Sequence, residues 1–156
     1  MIQNWRHLPA PARPIAAATT AAVTAARAHD TEALDAATAE LAALDPAQTG
    51  LILGTSVRLL LERAHPDGLD GDAVRAVLER CVRWAAVWHP ATDPHVVLHL
   101  LAGALGVLEE DAADVPKPDA QARHAALLLA DLLGESPIGE ILTAALSEIE
   151  RTQLND

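Results

Sequence analysis

Phenylalanine and tyrosine are absent from this 156-residue chain, and cysteine and lysine occur once each, as Cys81 and Lys117. Without Phe or Tyr, the core must be built from Leu, Val, Ile and Ala, with Trp5, Trp84 and Trp88 as the only aromatic side chains. Residues that favour strands are sparse, whereas Ala and Leu, both strong helix formers, dominate. An all-α fold follows. The single cysteine excludes an intramolecular disulfide and fits a reducing cytoplasm. Because Cys81 lies in an apolar helical run, its thiol reads as buried and inert.

Long apolar runs are missing as well. The longest, Val96 to Leu108, is about 13 residues with His99 inside it, short of the ~20 that a membrane-spanning helix needs. The Ala/Thr run from Ile15 to Ala26 follows Arg6 and Arg13 but is too weakly apolar for a signal peptide, and Pro9, Pro11 and Pro14 crowd its start. Positive charge is scarce too: 11 Lys and Arg stand against 22 Asp and Glu, a formal charge of −11. A surface that acidic repels phosphate backbones, so neither nucleic acid nor membrane is expected as a partner. No nucleophile elbow, Gly-rich phosphate loop or CxxC pair occurs, and no motif implies a cofactor.

What the chain does have is 51% apolar residues and well-marked helix ends. Its length suits one domain with a real core. The proline-rich residues 1–13 read as an extended arm, and residues 14–152 as a single-domain bundle or array of about seven helices joined by short loops. Pro14 sits near the first turn of helix one, and Asp30 caps helix two. Asp45-Pro46-Ala47-Gln48 is a capping box that opens helix three, which runs to about Ala64. Asp72 is the expected cap of helix four, which extends to about Trp88; Asp93-Pro94, Pro118-Asp119 and Ser136-Pro137 open the last three. Short loops imply that sequential helices pack on one another, and the most apolar, three and five, are expected at the centre.

Helix five, predicted over 93–110, carries the one hint of chemistry. At about 100° per residue its apolar side chains cover most of the circumference, leaving a narrow arc of His95, His99, Ala102, Gly103, Gly106 and Glu110. His95 and His99, at i and i+4, can reach a common metal, with His89 and Asp93 upstream as further ligands. The spacing lacks the glutamate of HExxH, and it equally suits buried, hydrogen-bonded histidines. Glycine inside a helix costs roughly 1 kcal/mol against Ala. Gly103 and Gly106 therefore need a reason, either close approach of a neighbour or a ligand pocket. Gly50 and Gly54 of helix three are the expected facing surface.

A second constellation is the line Val77, Cys81, Trp84, Trp88 on helix four, with Arg80 one turn before Trp84. A Trp pair beside an Arg is the composition of a core edge or of an interface. Together these features predict a small acidic cytoplasmic protein acting through protein contacts, as a homodimer with Arg80, Trp84 and Trp88 at or near the interface. The competing expectation is a helical enzyme or small-ligand sensor. Its ligand-binding residues would be His95, His99, Gly103 and Gly106, and a metal, if bound, would sit on His89, His95 and His99.

Overall fold

The computed structural model describes residues 9–108 and 115–154, and these form seven helices and no strand. They are α1 (Ala12–Arg27), α2 (Thr31–Ala43), α3 (Pro46–Ala64), α4 (Gly71–Trp88), α5 (Pro94–Ala104), α6 (Pro118–Leu133) and α7 (Ile138–Leu154). The all-α, single-domain reading of the sequence is correct. Residues 1–8 of the expected arm, Trp5 among them, lie outside the described residues.

Side-chain capping sets most of the helix starts. Asp30 Oδ1 accepts from the Ala33 N–H at 3.1 Å, and Asp45 Oδ2 from the Gln48 N–H at 3.0 Å, so each satisfies an orphan donor of its first turn. Helix α4 departs from expectation. Its cap is Asp70, whose Oδ1 accepts from the Ala73 N–H at 2.8 Å, and not Asp72, which lies in the first turn. Both are acidic residues near one helix start, and only the backbone decides which is extended. Asp70 is, with φ −92° and ψ 177°.

Helix α5 ends sooner than its apolar pattern suggests. Leu105 is its C-cap, Gly106 takes φ +74°, and Val107 N–H bonds back to Ala102 O at 2.9 Å, closing a Schellman turn. Gly106 is thus a helix terminator, not a helix-interior residue, and its left-handed φ supplies the reason the sequence could not. His29 plays the same part after α1, at φ +55°, with Asp30 N–H bonded to Ala25 O at 2.9 Å.

Helix α5 is also not the centre. It buries only Val96, Val97 and Leu101, whereas α6 buries nine residues and packs against α1, α2, α3, α4 and α5. The reason is volume. Ala122, Ala125, Ala126 and Ala130 let neighbours approach α6 closely, while Leu127, Leu128, Leu129 and Leu133 fill the gaps between them. Each such leucine contributes roughly 1.5–3 kcal/mol by leaving water. Small residues also let α1 and α2 pair, since most of the buried face of α1 is Ala. Helix α3 does lie within the core, packed on α7, α6 and α5 and bypassing its sequence neighbour α4. No described helix is long and apolar enough to cross a membrane.

Candidate functional site

The end of α2, the first three turns of α3, the second half of α5 and the first turns of α6 line a partly open cavity of about 290 Å³, with Gly50, Gly103 and Leu108 exposed at its edge. Its walls are mostly aliphatic: Leu41, Leu44, Leu53, Val57, Leu100 and Leu108. Three glycines complete them, Gly50 and Gly54 from α3 and Gly103 from α5. Close helix–helix approach, the expected reason for these glycines, does not hold. A Cβ at Gly50 or Gly54 would meet nothing within 4 Å, and one at Gly103 would meet only Leu108 Cδ2, at 3.9 Å. Half-buried Gly54 faces the open space within the pocket, whereas exposed Gly50 and Gly103 border both the pocket and solvent.

Thr49 also lines the cavity. It is 7% exposed, and its Oγ1 has no hydrogen-bond partner within the protein. Several helical hydroxyls bond back to the carbonyl four residues earlier, Thr20 to Ala16 O and Ser56 to Ile52 O at 2.8 Å and Thr38 to Leu34 O at 2.9 Å, while the buried Thr19 Oγ1 of α1, which lines no such pocket, is unpaired like that of Thr49. A buried unpaired hydroxyl costs on the order of 1–3 kcal/mol. Gln121 of α6 lines the same space and donates its Nε2 to Pro116 O at 2.6 Å.

The residues predicted from sequence separate in three dimensions. His99 and Gly103 line the cavity. His95 is exposed in the first turn of α5, its backbone N–H bonded to Asp93 Oδ1 at 2.9 Å. Gly106 is exposed in the Schellman turn. His89 is buried beyond the end of α4, its Nδ1 3.1 Å from Thr92 Oγ1. Since the Thr92 hydroxyl donates to His89 O at 2.7 Å, His89 Nδ1 is the donor in that pair. Among the described residues, no group of three or more His, Cys, Asp or Glu could hold a metal ion.

One further histidine, on α6, is structural. His124 of α6 is 3% exposed, and its Nε2 accepts the Asp93 backbone N–H at 2.8 Å. Its Nδ1 lies 2.7 Å from Ala120 O and therefore carries the proton. The ring is neutral and pins the start of α5 to α6. Burial pushes its pKa below the ordinary histidine value, outweighing the Ala120 hydrogen bond that acts the other way. Asp131 of α6 faces α4 and is paired with Arg80 at 3.1 Å.

The tryptophans are half-buried and packed within their own chain. The His29 ring stacks on Trp88, with centroids 4.9 Å apart and planes 6° apart, and meets the edge of Trp84 at 5.9 Å. Trp84 and Trp88 are T-shaped at 5.6 Å. Arg80, the third predicted interface residue, is exposed and directs its guanidinium at Asp131. Cys81 is fully buried between α4 and the core, its thiol pushed up to about 12, first by burial and then by Asp131.

Sequence reasoning missed Thr49, Gln121 and His124. Thr49 carries no local signal, since an unpaired hydroxyl is a property of its surroundings. His124 could have been found only by treating α6 as the central helix, because an Ala-rich pattern hides which face is buried. No protein-family profile, curated protein or solved structure matches this chain.

Proposed function

We propose that this protein binds a small, predominantly apolar molecule in the cavity between α2, α3, α5 and α6. The observation that carries the reading is the set of three glycines, Gly50, Gly54 and Gly103. Each weakens its helix by roughly 1 kcal/mol relative to Ala, none is required by packing, and all three line one space. The unpaired Thr49 hydroxyl supports it independently. Binding pockets of this kind are mainly apolar with a few polar groups that fix orientation. The direct test is calorimetric titration with butylbenzene, against wild type and a Gly54→Leu variant whose side chain fills the space. Saturable binding that Gly54→Leu abolishes supports the proposal. Binding that survives the substitution defeats it, as does a wild type that binds neither butylbenzene nor its polar homologues phenylbutanol, phenylbutyrate and phenylbutylamine.

A second reading, assembly of two copies through the outer end of α4, rests on Val87. That residue is 84% exposed and neighbours the half-buried Trp84 and Trp88. Light scattering on wild type, Trp84→Ala and Val87→Asp decides it: a dimer that dissociates in either variant supports the reading, and a monomer at tens of micromolar ends it.

A further inference from the structure

We infer that the ligand is an uncharged amphiphile of about a dozen non-hydrogen atoms, whose one neutral hydrogen-bonding group pairs with the Thr49 hydroxyl. This rests on the binding reading above and goes further by naming the chemical class.

Size comes first. An engineered apolar cavity of about 150 Å³ admits benzene, so roughly twice that volume admits about twice as many atoms. At about 290 Å³ the space holds a single ring with a short chain.

Charge comes second. Among the described residues lining the cavity there is no Asp, Glu, Lys or Arg, and His99 is the one ionisable side chain. A carboxylate or ammonium taken up beside the buried Thr49 would give up hydration with no acidic or basic side chain other than His99 in the lining to pair with, which costs more than burying a neutral polar group there. The formal charge of −11 on the chain further opposes anions.

Polarity comes third. A hydroxyl donates once and accepts twice, so Thr49 suits an alcohol, a phenol, a carbonyl or an amide equally. Burying such a group beside Thr49 satisfies two otherwise unpaired partners at once. A purely apolar ligand would leave the Thr49 oxygen unpaired.

The test is a matched series (butylbenzene, phenylbutanol, phenylbutyrate and phenylbutylamine) titrated at neutral pH into wild type, Thr49→Val and Thr49→Ser. Valine keeps the shape of threonine and removes an unpaired buried hydroxyl, so Thr49→Val should fold; its melting temperature checks this. Phenylbutanol should bind the wild type at least tenfold more tightly than either charged homologue. Thr49→Val should weaken phenylbutanol about threefold to tenfold, the range of one net hydrogen bond, while butylbenzene changes less than twofold. Thr49→Ser should restore most of the loss. A charged homologue that binds as tightly as the alcohol, or an alcohol indifferent to Thr49→Val, overturns the inference but leaves the cavity a binding site. Failure of all four compounds to bind the wild type overturns the binding reading as well.

Discussion

Replacing glycine by alanine at Gly50 and Gly54 should make this protein more stable, and the sign of the effect is the informative quantity. Both positions lie within α3, where Ala is favoured over Gly by about 0.8–1.0 kcal/mol. In a tightly packed helix pair that gain is reversed, because a methyl forced into a full interface costs about 1–3 kcal/mol. Here a Cβ at either glycine has nothing within 4 Å, so only the propensity gain remains. Each substitution should therefore stabilise by about 1 kcal/mol, and the pair by about 2 kcal/mol. At this chain length that raises Tm by roughly 2–4 °C per kcal/mol. Gly106 supplies an internal control of opposite sign: at φ +74° an alanine is strained by roughly 1–2 kcal/mol whatever the space around it. Urea unfolding with an unchanged m-value is the assay. Destabilisation of 1 kcal/mol or more by Gly54→Ala would show that α3 and its neighbours are in contact there. The cavity would then not exist as described, and the binding proposal would fall with it.

Three further outcomes follow from the same geometry. Asp70→Ala should cost α4 about 1 kcal/mol through loss of its cap, and Asp72→Ala less than half of that, as measured by urea unfolding. Equal costs would mean that the helix starts elsewhere. The pH dependence of His124 has a definite sign. The folded state holds the ring neutral, so below the ordinary histidine pKa of about 6.5 the unfolded chain binds a proton that the folded one refuses. His124 thus stabilises fully above about pH 6.5, and its contribution is lost as pH falls through its lowered folded value. In His124→Gln the slope of stability against pH between about 6.5 and 5 should drop by up to 1.36 kcal/mol per unit; an unchanged slope would refute the clamp. Finally, Cys81 should react with a thiol reagent only as fast as the chain unfolds, because burial holds the thiol at about 12. Rapid labelling of the native protein would show that α4 opens locally.

What was legible in the sequence was local. Asp30, Asp45 and Asp93 cap within three residues of themselves, and Pro46, Pro94 and Pro118 mark first turns by lacking an N–H. The order of layers was not legible, because hydrophobicity per residue measures what a helix would like to bury and not what reaches it. Helix α5 is the most apolar of the seven, yet its Leu98 remains 45% exposed. Helix α6 is central although its alanines signal little, since in a chain without Phe or Tyr the middle goes to the helix that several neighbours can approach.

The glycines show the same limit more sharply. From sequence, Gly50, Gly54, Gly103 and Gly106 form one problem, a helix weakened for a reason that lies off the helix. Three dimensions divide it in two. Gly106 answers to backbone torsion and ends α5; Gly50, Gly54 and Gly103 answer to volume and line the cavity. The two causes differ in what alanine does to stability, so the candidate site can be tested before any ligand is known. If alanine stabilises at positions 50 and 54 and destabilises at 106, the sequence retains at the cavity a cost that packing does not require. That is the outcome the binding proposal requires, and the opposite sign at Gly54 is the one it does not survive.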